Sequence, residues 1–398
     1  MADKFPLWPT VLFIVLIGIG VGIYLQFGGS SVRANTPTLN PPPALDDDPV
    51  ITINPPPREI TVPSAVPTFW PVPTPAPIPG ARFPHIEPQD GGGVSTAQIT
   101  SSFPFGRYGN ATIAVPVNIA VYQGAKNADK NITLYSRISK ETLLRTYYLS
   151  FIGDSFQDPF FESLLHELQA YRTQWQLNND SYLELLTVFV QSIPYQEQEG
   201  GSRFPIETFV EYRGDCDDKA LLLASLLARE GYNISILYFE DERHVALGIA
   251  SSTMIYGSTG YAYLETTVPS LIGVPPATIN GGDRIHSTLL ILPVGSGTIR
   301  YERGDQVGRI LKEEETAYQG IQAALPDISI ERTNLIDRIR SGELEEWYLS
   351  KYGGDEGYIS FRHTLAVYCY IHTHPHDREG TYAWVMNGSP LQSVLCPQ

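Results

Sequence analysis

Seventeen of the chain's 32 prolines fall between Pro37 and Pro88, in runs such as Asn54-Pro-Pro-Pro and Pro71-Val-Pro-Thr-Pro-Ala-Pro. Each lacks an N–H and fixes φ, so the stretch neither pairs as a sheet nor continues a helix. It favours polyproline II at roughly 3.1 Å per residue, a semi-rigid stalk whose reach is on the order of 150 Å. A docking segment for a proline-binding module is the other reading. Folded chain is expected beyond Gly91-Gly92-Gly93, which marks a hinge. A length of 398 residues allows two folded units plus linkers, and 42% hydrophobic content supplies a core and argues against wholesale disorder.

Upstream, Leu7 to Leu25 reads LWPTVLFIVLIGIGVGIYL without a charge. That approaches the roughly 20 apolar residues of a spanning helix and exceeds the roughly 7–15 of a cleaved signal core. The expectation is a single-pass membrane anchor, N-terminus inside and C-terminal domain extracytoplasmic; cleavage near Gly28 is the alternative. Lys4 ahead of the span leans the same way. Sequons at Asn110, Asn131, Asn179, Asn233 and Asn387 agree with export. A net charge of −16 argues against nucleic acid as a partner, because phosphate binding needs basic patches.

The cysteines are Cys216, Cys369 and Cys396. One disulfide would join the two near the C-terminus and leave Cys216 free; three reduced, buried thiols is the competing reading, and spacing does not choose.

Alternation over Asn110–Ile138 reads as one or two hairpins. Helical spacing follows over Pro159–Leu177, with Phe160, Leu164, Leu168 and Tyr171 in one stripe, and over Ser181–Ser192. Residues 203–232 read RFPIETFVEYRGDCDDKALLLASLLAREGY. An Ala/Leu-rich helix closed by Gly231 places Cys216 in its first turn with Asp215 as N-cap. Helix-end N–H groups favour a thiolate, while Asp217 and Asp218 oppose it, so a basic partner is wanted. Three strand-like runs come next: Asn233–Glu240, His244–Ala250 and Tyr261–Thr267. His244 opens the second and Glu265 lies in the third, so antiparallel pairing brings them side by side facing Cys216. His244 would take the thiol proton and form an ion pair, and Glu265 would fix the ring and its tautomer. Taken singly, a buried cysteine more often fills a core, and a strand histidine more often is structural.

Gly214-Asp-Cys216-Asp with its Ala/Leu-rich helix, His244-Val-Ala-Leu-Gly and Tyr263-Leu-Glu265-Thr-Thr together resemble the transglutaminase-like superfamily, especially its microbial branch. Phe189-Val-Gln-Ser-Ile-Pro-Tyr195 and Pro205-Ile-Glu-Thr-Phe209 add to the likeness, which covers about residues 180–295. The resemblance implies an α+β, papain-like transglutaminase core: a nucleophile helix packed on an antiparallel β-sheet. On this reading a transmembrane helix and Pro-rich stalk precede the core, and a mainly helical C-terminal region follows it. The corresponding domains are 1–34 (anchor), 35–106 (stalk), 107–300 (transglutaminase-like, core 180–295) and 301–398 (helical). It further implies Cys216 as nucleophile, His244 as base and Glu265 as orienting acid, where the superfamily more often has aspartate. An oxyanion hole would use the Cys216 N–H plus a side-chain donor, with Gln191 the candidate and Tyr195 behind it. The implied activity is a cell-surface thiol hydrolase or acyltransferase on peptide amides, passing through a thioester, with no cofactor and no metal. Partners would be a protein or peptide substrate or a cell-envelope polymer, plus the membrane through the N-terminal helix. A catalytically inactive surface binding module of the same type is the alternative.

Beyond residue 300 helices are expected over Gly308–Leu325 and Ile328–Tyr352, as a lid or accessory domain. His372-Thr-His374-Pro-His376-Asp377 resembles a metal tract if extended, and a solvated loop otherwise. The chain holds no GxxxxGK[ST], HExxH or GxSxG pattern, so phosphate-loop, zincin and serine-hydrolase readings fall away.

Overall fold

The computed structural model describes residues 69–73, 77–90, 95–135, 137–198, 200–276, 289–295, 297–387 and 396. The end of the proline-rich stretch is already packed on the fold. Trp70 donates its N–H to the carbonyl of Arg229 (3.0 Å). Its indole occupies the space beside Gly231, where a Cβ would overlap the ring nitrogen and where φ is +80°. Ile86 is fully buried, with its N–H on Asp154 (2.8 Å).

A short strand, Ala81–Arg82 (β1), precedes a hairpin of Thr96–Pro104 (β2) and Asn110–Asn118 (β3). Along β3 the buried positions Ala111, Ile113, Val115 and Val117 alternate with solvated ones, so one face carries the core. Asn118 then caps Ile119–Asn127 (α1) through bonds from the Ala120 and Val121 N–H groups. Thr133–Leu134 (β4) returns to pair with β1. Lys140–Ile152 (α2), Asp158–Gln174 (α3) and Asn179–Gln191 (α4) follow, with Ser139 and Asn178 capping the first and last. The expected stripe on α3 is present: Phe160, Leu164 and Leu168 are buried, while Tyr171 reaches out to bond the Thr112 backbone.

Pro205–Glu211 (α5) leads to Cys216–Arg229 (α6), in which every residue is buried. A four-stranded antiparallel sheet supports α6. Its strands are Ile234–Phe239 (β5), His244–Ala250 (β6), Tyr261–Leu264 (β7) and Leu289–Pro293 (β8), in the order β7-β6-β5-β8. The helix packs on β5 and β6 and is covered from other sides by α2, α4 and α5. That enclosure suits its Ala/Leu-rich composition, with Ser225 and Arg229 the buried polar residues beyond the first turn, both hydrogen-bonded.

Among the described residues five further helices follow: Gly304–Ala324 (α7), Arg332–Arg340 (α8), Glu343–Tyr352 (α9), Glu356–Thr373 (α10) and Arg378–Met386 (α11). The segment expected as one helix over 328–352 is two, broken at Gly342, whose φ of +76° is open to glycine at little cost. Cys369 and Cys396 form a disulfide with Cα atoms 5.5 Å apart, and Cys216 is free. Arg378 of α11 is buried against Glu184 of α4 and also donates to Gln306 of α7.

The expected fold class requires a correction. A membrane-spanning helix was part of it, and among the described residues no helix is long and apolar enough to cross a membrane. The longest, α7, carries a charged or polar residue in every turn, including Lys312-Glu-Glu-Glu315. What stands is a mixed helix-and-sheet arrangement. Leu7–Leu25, and the proline-rich stretch up to residue 68, lie outside the described residues.

Candidate functional site

Asp215 and Asp218 open α6 with a reciprocal cap: each carboxylate accepts from the other's backbone N–H, at 3.4 and 3.3 Å. Cys216 is therefore held as the first helical residue, with its thiol turned to the β5–β6 turn. Its Sγ lies 3.9 Å from the Arg243 carbonyl oxygen, which accepts from it. Arg243 sits in the left-handed region at φ +51°, the conformation that lets this tight turn deliver His244 to the start of β6.

His244 lies in a buried polar cluster. Its Nε2 is 3.0 Å from the Tyr263 hydroxyl and 3.8 Å from Glu265 Oε2. The Tyr263 hydroxyl donates to the same Oε2 at 3.1 Å. Glu265 follows directly on β7, and its Oε1 accepts from the Thr266 N–H (2.9 Å), the Thr267 N–H (2.7 Å) and the Thr267 hydroxyl (2.6 Å). Burial alone would raise this carboxyl, but His244 and the Thr267 donors more than offset it and hold it down to about 2. Cys216, His244, Tyr263 and Glu265 are all 3% exposed or less.

The thiol is pushed the other way. Burial, then the negative charges of Asp217 and Asp215, raise Cys216 well above its ordinary value, with the Val245 N–H opposing. Burial and the two aspartates thus work against the ion pair expected with His244.

Asp215, Asp217 and Asp218 bring carboxylate oxygens within 4.8 Å of one another. Their oxygens are already engaged: Asp217 by Ser202 and the Asp218 N–H, and Asp218 by the Arg203 N–H (2.6 Å) and its guanidinium (3.6 Å). Burial and mutual repulsion push Asp215 and Asp218 up.

Of the two oxyanion candidates, Gln191 is committed elsewhere. It ends α4, and its Nε2 donates to the carbonyls of Glu265 (2.9 Å) and Ser270 (3.4 Å), making it a strut beneath the acid. Tyr195 is 44% exposed, and its backbone bridges to Gly214. Burial first, then the Cys216 sulfur, raise its phenol, which donates to Glu197 at 3.4 Å. The His372 tract is not extended: His372 is in the last turn of α10, 3.2 Å from Glu314, and His374 stacks on Tyr370.

Two buried groups escaped the sequence reading. Lys219 was seen only as part of a helical run. Tyr263 is two residues before Glu265 on a strand, hence on the same face, and that spacing was a usable signal. Clefts of about 360 Å³ (beside Asn178, Asp180 and Arg303) and about 230 Å³ (beside His85, Gly124 and Asn127) are not lined by Cys216, His244 or Glu265. No protein-family model, curated protein or solved structure matches the chain.

Proposed function

We propose that this chain is a thiol hydrolase or acyltransferase of the transglutaminase-like kind, acting on peptide amides through Cys216, His244 and Glu265. The observation that carries the reading is the buried chain of polar contacts from His244 through Tyr263 to Glu265, which begins one residue from the carbonyl on the Cys216 thiol. Because burial and Asp217 keep the thiol neutral, His244 acts as a general base during attack rather than as half of a standing ion pair. It takes the Sγ proton as sulfur bonds to the amide carbonyl carbon. It then returns that proton to the departing amine, leaving a thioester. Water releases an acid and an amine acceptor releases a new amide; either step restores the thiol. The Cys216 N–H at the helix end and the Tyr195 hydroxyl supply donors for the oxyanion. The Cys369–Cys396 disulfide supports work in an oxidising compartment outside the cytoplasm.

The test is the pH dependence of Cys216 alkylation in the full chain, with His244→Ala alongside, followed by a peptide-amide screen with and without an added amine. Alkylation that slows at least tenfold in His244→Ala, together with turnover lost in Cys216→Ala, is the expected result. Alkylation indifferent to His244, with no turnover, overturns it. A second reading, an inactive binding module, draws on the closed site, since Cys216 is only 3% exposed. Turnover by the wild-type chain would exclude it.

A further inference from the structure

We infer that Tyr263 is a positioning residue through which Glu265 acts on His244, and that it fixes the imidazole with its proton on Nε2 and its lone pair on Nδ1. The inference rests on the proposed role of His244 as base.

The direct His244–Glu265 separation of 3.8 Å is too long for a hydrogen bond. The Tyr263 hydroxyl closes the gap, at 3.0 Å from Nε2 and 3.1 Å from Oε2. Proton counting sets the direction. An ionised carboxylate only accepts, so the single phenolic proton belongs to Oε2. With that proton committed, the phenol oxygen can meet Nε2 only as an acceptor, and Nε2 must carry hydrogen. A neutral imidazole so arranged has its free lone pair on Nδ1, the form needed to receive a proton from sulfur.

The surroundings favour one orientation of every member. Glu265 Oε1 is held by three donors from Thr266 and Thr267, which prevents the carboxylate from turning. The Tyr263 ring is fully buried and packs against Tyr256 (centroids 5.5 Å) and Phe239 (6.3 Å), while Phe239 also stacks on the imidazole (6.0 Å). Burial and the adjacent carboxylate raise the phenol well above its ordinary value, so it remains a neutral donor throughout the working pH range.

Nitrogen-15 NMR of the full-length, histidine-labelled chain reads the tautomer of His244 directly, with His244→Gln assigning the signal. Neutral His244 protonated on Nε2 in the wild type, and a mixture of tautomers in Tyr263→Phe, is expected. The alkylation rate of Cys216 should fall about tenfold or more in Tyr263→Phe, with its pH profile displaced. The Tyr263→Phe/Glu265→Gln pair should lose no more than Glu265→Gln alone, because both interrupt one path. A proton on Nδ1 in the wild type overturns the inference without any variant. So does a Tyr263→Phe rate within twofold of wild type when Glu265→Gln is slow, since Glu265 would then act directly. If His244→Ala leaves alkylation unchanged, the proposed function fails instead, and the NMR tautomer still decides the relay.

Discussion

The ammonium of Lys219 lies 2.6 Å from the carbonyl oxygen of Ile193, deep beneath the first turn of α6. It also donates to the carbonyls of Gln191 and Thr267, both at 3.3 Å. Its three protons thus tie the end of α4 to the turn that carries Glu265, and the cation sits where a helix C-terminus favours positive charge.

Replacing Lys219 by Met should destabilise the chain by about 2–4 kcal/mol at pH 7, because buried carbonyls lose their donors. The pH dependence is separable. Burial lowers the Lys219 ammonium to about 8 from an ordinary 10.5, with Glu265 opposing. The unfolded chain therefore binds more protons between these values, and stability rises with pH across that window. Urea midpoints of wild type and Lys219→Met at pH 7 and 10 should show wild type gaining on the variant, by up to about 3 kcal/mol.

Glu265 gives the opposite window. Its folded value of about 2 lies below the ordinary 4.5, so its contribution is complete above pH 4.5 and lost as pH falls toward 2. Relative to Glu265→Gln, wild type should lose on the order of 3 kcal/mol over that range. Parallel acid titrations of the two chains by circular dichroism measure the difference.

Arg378 and Glu184 join the C-terminal helices to α4, with Arg378 only 1% exposed. Arg378→Met should cost about 3–5 kcal/mol, since it strands a buried carboxylate. Adding Glu184→Gln should restore much of the loss. Burial raises Glu184 to about 7 despite Arg378, so this group's contribution is fullest below 4.5 and declines as pH rises through 7. Calorimetric melting of wild type, Arg378→Met, Glu184→Gln and the double variant at pH 5 and 8 checks both statements.

After burial itself, the Asp217 carboxylate opposes the Cys216 thiolate most strongly. Asp217→Asn should therefore speed alkylation of Cys216 near pH 7, by about tenfold for each unit that the thiol falls. Unchanged reactivity would assign the suppression to burial alone.

Much of the scaffold was legible because the periodicities were strong. The stripe on α3, the apolar run of α6 and the three strands from residue 234 to 264 all stand within a few residues of where the sequence put them. The pairing of His244 with the region of Glu265 followed from antiparallel order alone. What stayed hidden depended on side-chain reach. Whether Glu265 touches His244 is a matter of one ångström, and the tyrosine that fills the interval reads in sequence as ordinary strand filler. The side-chain amide of Gln191, the oxyanion candidate, donates to the carbonyls of Glu265 and Ser270, contacts that sequence does not display. The histidine tract, read as a metal site only if extended and as a solvated loop otherwise, begins inside α10, which runs through Thr373.

The seating of Trp70 against Gly231 has a mechanical consequence. Trp70 is seated at the end of α6 farthest from Cys216, a separation of roughly 21 Å for a helix of fourteen residues. Load applied at Trp70 would bear on the Arg229 carbonyl and the glycine cradle, at the end of that helix opposite the thiol.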